Sequence, residues 1–165
     1  MKTFDYYIGI DPDIEASGFA LLDRRKARLV DVQTLAFPLL IDRLCQMREG
    51  RASIAVVVEA SWMQTTNWHI LQRYGSTARA AAVGRAVGLN HATGMHIAAM
   101  ARAYGFTVIE QRPLRKIGHG KDGKLTHADA AYYMQGLPAR TNQEERDAAR
   151  LAWVVAGLQE IMKAI

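Results

Sequence analysis

Two apolar runs that each stop on a carboxylate constrain this chain more than anything else in it. Tyr6-Tyr7-Ile8-Gly9-Ile10 ends on Asp11 and is followed by Pro12; Ser53-Ile54-Ala55-Val56-Val57-Val58 ends on Glu59. β-Branched and aromatic residues suit a pleated surface, and unbroken apolar character suits a strand buried on both faces. A carboxylate at the end of such a strand is costly to desolvate unless something compensates it. Two such endings predict one site, in which a cation neutralises both.

The bulk numbers narrow the setting. At 165 residues, 50% of them hydrophobic, the chain is expected to form a single domain over 1–165 with a sizeable core, which argues against disorder. No apolar run reaches the length of a membrane span and the N-terminus lacks a signal-peptide core, so a soluble, cytoplasmic protein with no membrane partner is expected. The single Cys45 can build neither an internal disulfide nor a cysteine metal centre. The net charge is +5. Its distribution says more: Arg112, Arg115, Lys116, Lys121 and Lys124 lie in one segment with only Asp122 as counter-charge, as suits a bound polyanion. Arg24, Arg25, Lys26 and Arg28 read instead as a solvated hairpin turn.

In order, the pattern predicts a meander of three antiparallel strands, Tyr6–Asp11, Ser17–Asp23 and Leu29–Leu35. A helix over Leu39–Arg48 follows, opened by Pro38. The strand Ile54–Glu59 comes after a helix and is therefore expected to be parallel to its partner. Ala60–Gly75 reads as a loop or broken helix. Ser76–Ala103 reads as helical, with a break expected near Gly88–Gly94. Phe106–Glu110 is a fifth strand, Pro113–Ile117 a helical turn, Ile117–Gly123 a glycine-rich mobile loop and Thr126–Gln135 a helix. The final helix is expected over Gln143–Ile165, capped by Thr141-Asn142. This order implies a mixed sheet with helices on its faces.

The last helix brings a third acidic element. Glu144 and Asp147 are three apart and share one helical face near its N-terminus. Acidic residues there also complement the helix dipole for no functional reason. Taken with Asp11 and Glu59, however, they complete a set of four oxygen ligands of the kind that suits hard cations such as Mg²⁺ or Mn²⁺. Two such ions can activate a water and stabilise a leaving oxygen on phosphate.

With these residues in view, the sequence resembles the RuvC-type Holliday-junction resolvases of the ribonuclease H-like superfamily. Gly9-Ile10-Asp11-Pro12 with Ser17-Gly18-Phe19-Ala20 is similar to their N-terminal signature. Val57-Val58-Glu59 with Trp62-Met63 resembles their second acidic strand and the aromatic residue beyond it. Phe106–Glu110 with Pro113 and Lys116 resembles the strand leading to their basic loop; Lys124, Leu137-Pro138 and Glu144-x-x-Asp147-Ala148-x-x-Leu151-Ala152 resemble the remainder. The resemblance runs in order over nearly the whole chain. It implies a ribonuclease H-like α/β fold with a mixed five-stranded sheet. It also implies a two-metal, Mg²⁺-dependent endonuclease that resolves four-way DNA junctions by paired nicks as a homodimer. Asp11 would bridge two ions, with Glu59, Glu144 and Asp147 completing the ligand set. Lys124 or Lys121 would stabilise charge at the scissile phosphate. Arg115 and Lys116 would bind neighbouring phosphates, and Trp62 would stack on a base at the opened crossover or else fill a core position under its loop.

The chain departs from that pattern in places. Asp13 stands where glycine is usual, and is read here as a turn former. Glu144 stands where aspartate is usual, which leaves Glu144 and Glu145 as alternatives. The stretch between Trp62 and Gly94 is longer than in bacterial resolvases, which would fit a phage-encoded relative. His69, His91, His96, His119 and His127 make no convincing zinc spacing. The competing functions are a flap or other branched-DNA nuclease, a ribonuclease acting on RNA–DNA hybrids, and a non-catalytic nucleic-acid-binding module. An ATP-binding actin-like protein is disfavoured by the lack of a second glycine loop.

Overall fold

The computed structural model describes residues 3–50, 52–64 and 76–161. Five strands form one sheet: β1 Tyr6–Asp11, β2 Ser17–Asp23, β3 Arg28–Leu35, β4 Ile54–Glu59 and β5 Thr107–Gln111, in the order β3-β2-β1-β4-β5. The first three are an antiparallel meander; β4 and β5 run parallel to β1. The mixed sheet expected from the sequence is therefore present.

Period-two alternation divides the side chains between the two faces. Ile8, Ile10, Phe19, Val56 and Val58 are buried against helix α1 (Phe37–Met47) and the C-terminal part of helix α2 (Thr77–Ala103). Helix α1 contributes Leu40 and Leu44, one turn apart and fully buried, and has Pro38 in its first turn, where the missing N–H costs nothing. On the other face Tyr7, Ala20, Leu22, Ala55 and Val57 pack with helix α3 (His127–Tyr133) and helix α4 (Gln143–Val155). Both short helices begin with reciprocal caps, Thr126 with Asp129 and Asn142 with Glu145.

Three expectations are corrected. Helix α2 is continuous across Gly88–Gly94. Gly84 and Gly88 face open space, while Gly94 lets the ring of Trp62 and the side chain of Pro12 approach, so none interrupts the backbone ladder. Residues Pro113–Ile117 form no helical turn. Helix α4 stops at Val155, well short of Ile165. Gly157 adopts φ 78°, its N–H bonds the carbonyl of Val154, and the N–H of Leu158 bonds that of Trp153. This left-handed glycine closure ends the helix although the apolar period in the sequence runs on through Leu158. Of the expected loop or broken helix after β4, Ser61–Met63 is a 3₁₀ turn, and the part at 65–75 lies outside the described residues. Among the described residues no helix is long and apolar enough to cross a membrane.

Candidate active site

The site forms where two glycines let a helix rest on the sheet. A Cβ on Gly18 would lie 2.0 Å from the carbonyl oxygen of Glu144, and one on Gly9 would lie 2.0 Å from that of Ala148. No side chain fits in either gap, so the backbone of α4 settles directly on β1 and β2. That contact carries Glu144 and Asp147 to the end of β1, where Asp11 sits. Parallel pairing of β1 with β4 runs up to Ile10 and Val58, so Asp11 and Glu59, the next residues, end adjacent strands at the same level.

Asp11 and Glu59 feel the charge of neighbouring carboxylates. Burial pushes the Asp11 carboxyl up to about 8, and Glu59, Asp147, Glu144 and Asp13 add to the shift in that order. Burial and then Asp147 raise Glu59, partly offset by Arg150. Burial also raises Asp147, against a 2.9 Å hydrogen bond from the Gln143 amide and the cations Lys124, Arg146 and Arg150. Among the described residues, no hydrogen bond from protein reaches the side chains of Asp11, Glu59 or Glu144. Nor does any group of three His, Cys, Asp or Glu side chains there converge tightly enough to enclose an ion outright. Half-buried, mutually repelling and unpartnered carboxylates are nonetheless a donor set that fits hard divalent cations, which would relieve the repulsion. Glu145 is occupied elsewhere: one oxygen accepts from the backbone N–H of Asn142 at 3.0 Å and the other from the Thr34 hydroxyl at 3.2 Å. Of the two neighbouring glutamates, Glu144 is therefore the one whose charge acts on Asp11.

Two grooves meet at these acids. One is lined by Glu59 and Asp147 together with Lys116, Lys124 and Arg150. The other is lined by Asp11 and Glu59 together with Ser61, Gln64, Asn90 and His91. The cleft thus has a wall bearing lysines and arginine and a polar wall with neither. Lys121 lies round the corner, in a third groove with Lys124, His127 and Arg146, and does not line the acidic groove. The Arg115 side chain is exposed. Trp62 is half-buried, and its ring lies close against Gly94 and Pro12.

Sequence reasoning missed Arg150. It is 8% exposed, donates from Nε to Glu160 at 2.5 Å and from Nη2 to the carbonyl of Arg115 at 2.8 Å, and so ties α4 to both the basic segment and the C-terminal stretch. The available signal was an arginine three residues after Asp147, inside an otherwise apolar stretch. Asn90 was also missed. Its amide accepts from the Ile14 N–H at 3.0 Å and donates to Asp13 at 3.0 Å, pinning the turn after Asp11 to α2. Asp13 does form a turn, accepting from the N–H of Glu15 at 2.9 Å, as expected.

No family model matches the sequence, and no curated protein matches it either. Solved structures do match. The chain is similar to RuvC of T. thermophilus in complex with Holliday junction substrate, at 19% identity and a TM-score of 0.53, covering 92% of this chain and 96% of that one. A Thermus thermophilus RuvC structure matches at 17% identity and a TM-score of 0.52, with the same coverage. The sheet order, the parallel β1, β4 and β5 and this similarity over nearly the full length of both chains give the protein the ribonuclease H-like fold of RuvC.

Proposed function

We propose that the protein is a metal-dependent, structure-selective DNA endonuclease that resolves four-way junctions by paired nicks. The observation that carries this reading is the convergence of Asp11, Glu59, Glu144 and Asp147 beside a wall of lysines, in the fold of RuvC. Asp11, Glu59, Glu144 and Asp147 would hold two Mg²⁺ or Mn²⁺ ions, which would supply Lewis acidity toward water and the leaving oxygen.

The chain's own groups have distinct tasks. Lys124 faces the acids from the cationic wall and would offset charge that builds on the scissile phosphate. Lys116, in the same groove, and the exposed Arg115 would hold flanking phosphates without reading sequence. Lys121 would contact a phosphate farther along the strand, over its own groove. Trp62, half-buried with its ring near Gly94, would stack on an unpaired base. Paired nicks at a symmetric junction call for two such sites related by a twofold axis, hence a homodimer. The junction in the T. thermophilus RuvC complex supports branched DNA as the substrate class.

The test is cleavage of a labelled four-way junction in Mg²⁺ beside duplex, flap, splayed-arm and RNA–DNA hybrid substrates. Symmetric nicks on the junction, abolished by Asp11→Asn, are expected. Preferential cutting of another substrate would move the function within the nucleases. Binding without cutting in both Mg²⁺ and Mn²⁺ would overturn the enzymatic reading.

A further inference from the structure

We propose that His119 and Asp129 act as a positioning pair for Lys124, an inference that rests on the nuclease reading above. The segment carrying Lys124 is wound on itself. Cβ atoms on Gly118 and Gly120 would lie 2.1 and 2.7 Å from the Lys124 carbonyl oxygen, which accepts from the Gly120 N–H at 2.9 Å. The Gly118 N–H bonds the carbonyl of Gly123 at 3.0 Å. Asp122 and Gly123 both occupy the left-handed region, at φ 57° and 73°. A loop this irregular is held only if its surroundings fix it.

Asp129 provides that hold from the first turn of α3. Its buried carboxylate accepts from the backbone N–H groups of Thr126 at 2.9 Å and His119 at 3.0 Å, and meets His119 Nδ1 at 2.5 Å. Burial raises this carboxyl, but the bonds from His119 and Thr126 outweigh burial and hold it well below the usual range. An ionised acceptor requires the proton on Nδ1, so the imidazole donates. The helix itself does not need that bond: the reciprocal cap between Thr126 and Asp129 forms without the His119 ring. What the ring adds is a second tie between α3 and the loop, beside the bond from the His119 backbone N–H. The loop in turn places Lys124 in the groove with Glu59 and Asp147, and packs Gly123 against Lys116.

The test is steady-state cleavage of the junction by His119→Ala and His119→Asn, each also in a Lys124→Ala background. The asparagine amide nitrogen stands where Nδ1 stands. His119→Ala is expected to lower kcat about tenfold with KM nearly unchanged, since a small misplacement of a catalytic group is felt in the chemical step. His119→Asn should recover most of that loss, and His119→Ala should cost nothing further once Lys124 is gone. An unchanged kcat, or an equal loss with and without Lys124, would overturn the pair. Amide exchange gives a readout that needs no activity: His119→Ala should speed exchange at Gly118–Lys124 and spare α3. If the wild type cuts none of the substrates, the nuclease reading fails, and exchange alone decides: an unchanged loop refutes the tie.

Discussion

The two faces of the sheet are covered in opposite ways. Toward α1 and α2 the sheet presents Ile8, Ile10, Phe19, Val56 and Val58, and large side chains such as Leu40, Leu44 and Ile97 fill the space between layers. Toward α4 it presents Gly9, Gly18, Ala20 and Ala55, and the helix answers with Ala148 and Ala152. The first face is spaced by side chains; the second is in backbone contact. A helix held off by leucines tolerates small adjustments, whereas one resting on peptide groups has its height fixed by the chain itself. The acidic residues are carried by the second helix, where a fixed height also fixes how close Glu144 and Asp147 come to Asp11.

Breaking each face should therefore have different consequences. Gly9→Val drives a side chain into the Ala148 carbonyl and should have the largest effect, a loss of about 4 kcal/mol or more together with all cleavage, read from urea unfolding and junction assays. Leu44→Ala on the opposite face should cost about 2–5 kcal/mol, while the folded fraction still cuts at the wild-type rate. Equal stability of Gly9→Val and wild type would remove the distinction between the faces.

The fixed height also confines repulsion. The Asp11 carboxyl is raised in the folded chain to about 8, against an ordinary value of 3.8, so between those values the folded state binds more protons than the unfolded one. In EDTA, stability should fall as pH rises from about 4 to about 8, and raised Glu59 and Asp147 act in the same direction. Asp11→Asn should flatten that slope and raise stability at pH 8 by about 1–3 kcal/mol while abolishing cleavage. Unfolding curves at pH 5 and 8 decide it; a slope undiminished by Asp11→Asn would place the repulsion elsewhere. The smallest effect is expected far from both faces. Gly88 sits in mid-helix with open space around it, so Gly88→Ala should stabilise by about 0.5–1 kcal/mol, seen as a small rise in Tm with unchanged cleavage.

What could be read from the sequence follows from where the decisive interactions lie. The ends of β2 and β4 are found where expected, because charged or small residues interrupt apolar runs and burial needs no distant partner to be legible. The four acids were legible as candidates for the same reason: Asp11 and Glu59 end strands, and Glu144 and Asp147 lie in the first turns of a helix. The end of α4 was misplaced because Leu158, Met162 and Ile165 extend its period in the sequence, while one glycine in a left-handed conformation stops it. The break expected in α2 gave each glycine too much weight; about 1 kcal/mol apiece does not interrupt a helix of 27 residues. Arg150, Asn90 and His119 went unread because their partners, Arg115, Asp13 and Asp129, are joined to them only by the fold.

The pin at Asn90 has a mechanical meaning. Helix α2 has 27 residues, so it is a rod of about 40 Å, and Asn90 lies at its middle. Its C-terminal half is seated in the core through Ile97, Ala98 and Ala101, while most of the residues before Asn90 are exposed. The two hydrogen bonds to the turn that follows Asp11 sit where the more exposed half meets the buried one. A load on the exposed half would reach the strand end bearing Asp11 through those two bonds and through Gly94, which lies against Pro12.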